Sequence, residues 1–242
     1  MVTARYYIGT SGWHYDHWRD RFYPAGLPKS KWLDYYSQKF PTVEINNSFY
    51  RLPSEKAFAT WHDSSPAHFR FAVKVSRFIT HIKKLRDVEK PLDTFQERAK
   101  GLGAKLGPLL YQLPPNMKRN DAVLESFLSL LPPAQQHAFE FRNESWLNEG
   151  VFDMLRRHNV GLCVMDMPGF TSPVLATADF AYIRFHGSQW LYGSCYSDEE
   201  LRGWAGRIAG LGAKVTYIYF NNDAEAFAVR NALTLAQLLK GA

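Results

Sequence analysis

The chain has little with which to staple or anchor itself. Its 242 residues include two cysteines, Cys163 and Cys195. That is too few for a disulfide framework, and they are not spaced as zinc ligands. Such usage suits a reducing compartment, and the cytoplasm is the expected location. Cys163 sits in the apolar run GLCVM and reads as core, whereas Cys195, in YGSCYS, has a loop-like setting. No apolar run approaches the ~20 residues of a membrane-spanning helix. The N-terminus lacks the basic-then-apolar layout of a signal peptide, so no membrane association is expected. There is no H-x-H or HExxH motif. Acidic residues are in deficit, 23 against 29 Lys and Arg, leaving a net charge of +6. A basic balance favours anionic partners, from small acids to nucleic acid. The bases are scattered, however, and only HIKKLR (81–86) approaches a cluster, which also fits an ordinary solvated surface.

What is present is alternation. Eight short runs rich in β-branched and aromatic residues recur along the chain, at 5–11, 42–48, 69–76, 107–113, 137–143, 160–166, 180–187 and 214–222. Between most of them lie amphipathic segments with helix punctuation. Residues 29–40 place Trp32, Tyr35, Tyr36 and Phe40 at helical spacing, Ser54 opens a helix as a plausible N-cap, and 197–212 begins with the Ser197/Glu200 signature of a capping box. The last helix, 223–241, is predicted to stop at Gly241. Strands alternating with helices imply βαβ units and a parallel sheet, and eight repeats in this length predict a single (β/α)8 TIM barrel, one domain over residues 1–242. The segment MPGFTSPVLATA (167–178) has no helical period, so a loop is expected in place of the sixth helix. An open doubly wound sheet is the rival. Against it, GTSGW after the first run lacks the G-x-G-x-x-G phosphate-binding spacing.

Successive strand residues face opposite ways, and here polar residues share one parity. That set comprises Glu44 and Asn46, Lys74, Gln112, Glu140 and Arg142, Asp166, then Tyr182, Arg184 and His186, with Asn221 and Asn222 closing the last strand. The other parity holds Val43, Ile45, Phe71, Val73, Phe139, Phe141, Ile183 and Phe185. The polar set is therefore expected inside the barrel near the C-terminal strand ends, where barrel enzymes carry their sites. Structural ion pairs, Lys74 with Glu44 or Arg142 with Glu140, are the plainer alternative for individual residues. A whole ring of desolvated charges points to binding or reaction. Loops after the strands add Trp13, Tyr50, Arg51, His81 and Trp146. Aromatics beside cations suit a sugar ring or nucleobase with an attached anion.

The stretches GTSGW, VEINNSFYR (43–51), FAVKVSRFITH (71–81), QLPP (112–115), EFRNESW (140–146), YIRFHG (182–187) and YFNND (219–223) run in order along nearly the whole chain. Together they resemble the YecE-like family, a domain of unknown function. The resemblance implies a TIM barrel and brings no activity with it.

From the residues, the leading expectation is an enzyme acting on a small anionic or sugar-like substrate by acid/base chemistry: a hydrolase, isomerase or lyase. Glu44 or Glu140 would be the general base and His186 a proton shuttle. Lys74 would stabilise negative charge or, if desolvated, act as a Schiff-base nucleophile. Arg142 and Arg184 would clamp the anion, with Trp13, Asn46, Tyr50, Arg51, His81, Gln112, Trp146, Asn221 and Asn222 lining the substrate site. No cofactor is called for. A divalent metal on Glu44, Glu140, Asp166 and His186 is the alternative, opposed by the cations on the same face. Another class is nucleic-acid binding, or metal-dependent phosphodiester cleavage, through HIKKLR, Arg51 and the loop aromatics. The sequence is silent on oligomeric state.

Overall fold

The computed structural model describes residues 4–240, so the predicted stop at Gly241 lies outside the described residues. The expected runs form strands: β1 (Arg5–Thr10), β2 (Thr42–Ile45), β3 (Arg70–Lys74), β4 (Leu106–Gln112), β5 (His137–Glu140), β6 (Gly161–Met167), a short β7 (Phe170–Thr171), β8 (Phe180–Phe185) and β9 (Val215–Phe220). All but β7 pair in parallel, in the spatial order β1-β9-β8-β6-β5-β4-β3-β2. A parallel bridge between Ser11 and Glu44 joins the two ends, and the Gly12 N–H donates to the Glu44 carbonyl at 2.8 Å. The result is a closed eight-stranded parallel barrel. Closure needs Gly9, because a Cβ there would lie 2.1 Å from the Thr42 carbonyl oxygen of β2.

Helices wrap the outside: α1 (Trp32–Ser37), α2 (Glu55–Asp63), α3 (Glu89–Ala99), α4 (Asp121–Leu128), α5 (Glu149–Arg157), α6 (Asp198–Ala209) and α7 (Phe227–Lys240). Ser54, Asn120, Asn148 and Ser197 cap the starts of α2, α4, α5 and α6 with side-chain oxygens, and Ser197 with Glu200 completes the capping box. Each cap satisfies a backbone N–H that the helix itself leaves unpaired.

The expectation of a loop taking the place of the sixth helix is corrected. After β6 the chain turns through Gly169 (φ 73°) into β7, which pairs antiparallel with β6 in the register Asp166↔Thr171. The Ser and Thr side chains that obscured any period bind the β6 backbone. The Met165 N–H donates to Ser172 Oγ at 2.8 Å, and the Leu162 N–H to Thr177 Oγ1 at 2.7 Å. The segment is thus an ordered extension of the sheet.

Two apolar clusters separate cleanly. The larger lies between barrel and helices and holds Val43, Ile45, Phe71, Val73, Phe139, Phe141, Ile183 and Phe185. The smaller fills the lumen with Tyr7, Ala72, Leu110, Ala138, Cys163, Phe180, Tyr182, Tyr217 and Tyr219. Tyr7 stacks on Tyr217 with ring centroids 5.1 Å apart. The lumen is therefore a packed core, and polar groups gather only above this aromatic floor.

Candidate active site at the C-terminal strand ends

Arg184, on β8, is fully buried and spans the lumen. Its Nη2 donates to Glu44 Oε1 at 2.8 Å, and its Nη1 to Glu140 Oε2. Glu44 also accepts from Tyr182 Oη at 2.7 Å and from Ser11 Oγ. The opening residue of β2's polar face is thus neutralised and fully hydrogen-bonded, as a buried carboxylate must be. Glu140 accepts a further bond from Arg142 Nε. Burial alone would raise the Glu140 pKa. The guanidiniums of Arg142 and Arg184 reverse this and hold it well below the ordinary range. Burial opposes the Arg184 charge too, but Glu140 and Glu44 keep it firmly protonated. The carboxylate and guanidinium charges in this network cancel.

His186 is also completely buried. Arg142 Nη2 lies 3.0 Å from its Nε2, and the Asn221 amide 3.2 Å from its Nδ1. A guanidinium only donates, so Nε2 accepts that bond; Asn221 Nδ2 is a donor too, and a neutral ring, with one acceptor nitrogen, takes only one of the two. Burial first, then the charge of Arg184, pushes the His186 pKa well below its usual value. The imidazole is neutral and props up Arg142.

Besides the buried Arg184 Nε, which has no partner, two groups break this saturation. Lys74, the last residue of β3, is 7% exposed, and its Nζ lies 4.2 Å from the Phe49 ring centroid. Among the described residues it has no hydrogen-bond acceptor and no carboxylate within ion-pair distance. Burial, followed by repulsion from Arg184, lowers its pKa to about 8. The second group is the Nη1 of Arg142, whose partner is the Met167 thioether at 3.4 Å, a weak acceptor. His81 rests edge-on against the same Phe49 ring, with centroids 4.9 Å apart, and Thr80 Oγ1 lies 2.9 Å from its Nδ1. Burial, then the charges of Lys74 and Arg77, lowers the His81 pKa to about 4. Half-buried Gln112 ends β4 in register with Glu140. Asn46 is half-buried, and its Oδ1 has no partner. It shares a cleft of about 230 Å³ with Trp13, His14, Tyr15, Asn47 and Trp61. There Trp13 meets Trp61 edge-on at 5.4 Å.

Three expected site residues stand elsewhere. Asp166 shares its parity with Leu162 and Val164, which pack in the outer cluster, so its side chain leaves the lumen. It accepts from Thr171 Oγ1 at 2.6 Å and Tyr196 Oη at 2.7 Å, beside a separate cleft between β7 and α6. The inward position at the end of β6 belongs to Met167. Asn222 follows Phe220 outward and donates to the Ser194 carbonyl at 2.9 Å and to Asn231 Oδ1 at 2.8 Å, tying a loop to α7. Trp146 is fully buried and stacked on Phe141 at 5.1 Å, with its Nε1 donating to the Met117 carbonyl at 2.7 Å. It belongs to the barrel–helix layer. Tyr50 and Arg51 stand exposed on the rim. Ser11, Phe49 and Met167 are the contributors the sequence reading passed over. Each is a small or apolar residue with no chemical signature of its own.

The proposed metal ligands do not assemble. Among the described residues no group of three or more His, Cys, Asp or Glu side chains is placed to hold an ion. Glu44 and Glu140 face guanidiniums, and Asp166 points away from them. Nor, among the described residues, is any helix long and apolar enough to cross a membrane.

Comparison with known proteins finds relatives along nearly the whole chain. A family model described as "Protein of unknown function DUF72" matches residues 7–242. The UPF0759 protein YunF of Bacillus subtilis is 27% identical, over 96% of this chain and 94% of that protein. The crystal structure of a DUF72 family protein from Thermotoga maritima superimposes with a TM-score of 0.87 at 30% identity, covering 98% of this chain and 99% of that one. Another, from Enterococcus faecalis, gives 0.84 at 21% identity over 97% and 95% of the two chains, a likeness of fold.

Proposed function

The chain belongs to the DUF72 family of TIM-barrel proteins, and from that premise we propose an enzyme, working as one domain, that acts on a small anionic or sugar-like substrate at the C-terminal strand ends. The reading rests on one observation. Two carboxylates and two guanidiniums above the aromatic floor balance each other's charge, while the Lys74 amine and one arm of Arg142 are left without an anionic partner. An oxyanion between these two would give both cations an acceptor and a counter-charge. Gln112, Asn46 and Asn221 stand ready for substrate hydroxyls, and the Trp13 cleft for a ring. Neutral His81 is the group best placed to take a proton, since His186 is committed to Arg142. Glu44 and Glu140 act as the anchors that hold Arg184 and Arg142 in place. Two free thiols suit a cytoplasmic setting.

The test is calorimetric titration with small carboxylates and phosphates, using the unmodified protein and Lys74→Met. Binding to the unmodified protein that falls at least tenfold in the variant, with the fold intact, supports the reading. Equal binding by both proteins, or none by either, removes it.

A second reading, nucleic-acid binding, is favoured by the apolar side chains the rim exposes, Tyr50, Phe78, Ile82, Trp190 and Tyr192. It predicts affinity for a single-stranded oligonucleotide that falls steeply with salt. Small-acid binding at the interior site would vary little with salt.

A further inference from the structure

We infer that Lys74 is a covalent nucleophile, condensing with the carbonyl carbon of a small carbonyl compound that carries a carboxylate or phosphate. The inference rests on the anion-binding reading above and adds a bond-forming step and a substrate class to it.

Three features of the site lead there. The charges around Lys74 are already balanced, Glu44 and Glu140 against Arg184 and Arg142. A protonated Lys74 is a surplus cation on the same inner face as two guanidiniums, so the network lowers its basicity and makes the neutral amine easier to reach. Its Nζ is not tied to any acceptor among the described residues, which leaves the lone pair free once the proton is gone. The Phe49 ring flanks the amine, and Ser48 Oγ fixes the backbone that carries it by donating to the Lys74 carbonyl at 2.6 Å. A free lysine on a flexible surface has neither the lowered basicity nor the fixed position. The pKa near 8 agrees with the geometry.

The step balances without any redox partner. The Nζ lone pair forms an N–C bond to the carbonyl carbon, and the C=O π pair moves to oxygen. One N–H proton passes to that oxygen by way of His81, which is neutral and meets the same Phe49 ring edge-on. The nitrogen lone pair then closes a C=N bond and expels the oxygen as water, which takes its second proton from solvent. The products are a protonated imine on Lys74 and one water molecule. The substrate's own anion, held by Arg142 Nη1, sits against the new positive charge. This is why the class is restricted to carbonyl acids: a neutral aldehyde would leave the imine cation unmatched beside Arg184.

The experiment is borohydride trapping of the whole protein with pyruvate and, separately, with dihydroxyacetone phosphate, followed by peptide mass mapping. The expected result is a reduced adduct on the peptide carrying Lys74. It is absent from Lys74→Met and forms faster as the pH is raised through 8. Acetone, lacking the anion, should label Lys74 at least tenfold less. An adduct spread over surface lysines and unchanged in Lys74→Met would overturn the inference. So would reversible calorimetric binding of either acid with no trapping, an outcome that leaves the anion-binding reading standing. Absence of both binding and trapping removes the two together.

Discussion

Two cations share the inner face of this barrel and live under opposite rules. Arg184 is buried with a carboxylate on either side. Lys74 meets an aromatic ring and, among the described residues, no carboxylate within ion-pair distance. The first is what a barrel does with charge when the purpose is to hold a shape. The second is a charge left unresolved, and an unresolved charge in a desolvated place is where a ligand or a reaction supplies what is missing. The difference separates the scaffold of the site from its working end. Substitution at each should therefore fail in a different way.

Arg184→Met should be the most damaging change. It strands Glu44 and Glu140 in the lumen without their shared counter-ion, and breaking a buried pair from one side costs about 3–5 kcal/mol. Urea unfolding should show that loss as a lower midpoint with an unchanged slope. Lys74→Met removes a cation that had no partner, so its midpoint should stay level or rise. If both variants lose stability equally, Lys74 belongs to the structural network and the contrast collapses.

Proton linkage gives a finer measure. Folded Lys74 sheds its proton near pH 8, while the unfolded chain holds it to the ordinary lysine value of 10.5. Between those limits the unfolded state binds more protons, so this group makes stability rise with pH. Below pH 8 its penalty is fully present. The stability of the unmodified protein minus that of Lys74→Met should therefore climb from pH 8 towards 10.5, by on the order of 1–3 kcal/mol. A flat difference would mean that Lys74 keeps an ordinary pKa. On the acid side, burial depresses the His137 pKa to about 4. Its Nδ1 lies 3.2 Å from Tyr111 Oη and its Nε2 3.1 Å from the Pro132 carbonyl. The unfolded chain takes up that proton first, so stability should fall between pH 6.5 and 4, and less so in His137→Gln.

The same contrast shows what could be read from residue order. Side-chain parity placed Glu44, Lys74, Glu140, Arg142 and Arg184 on one face and their apolar neighbours on the other, because strand geometry leaves no other arrangement. Parity counted from the wrong residue misplaced Asp166. The run GLCVMD reads as buried throughout, so nothing in it marks which face is which, and only the pairing Cys163↔Tyr182 shows that Met167 points inward. Asn222 follows Phe220, the outward end of β9, and Trp146 stacks on Phe141, the outward residue just after β5, so both side chains join the helical layer. Which carboxylate meets which guanidinium depends on the stagger between strands, which no single strand carries. Phe49 under Lys74 escaped notice because a phenylalanine in a turn looks like any other packing residue.

Met167 offers the smallest and most discriminating change. It places a sulfur 3.4 Å from Arg142 Nη1, at the position where a protein acceptor would otherwise have occupied that arm. Met167→Leu removes the sulfur and keeps the volume, so anion affinity should be unaltered. Met167→Gln puts an amide oxygen within reach of the guanidinium. A ligand must then compete with an internal hydrogen bond worth about 1 kcal/mol, so calorimetric affinity should fall several-fold. Equal affinities in both variants would place the anion away from Arg142 and leave Lys74 as its sole cationic contact.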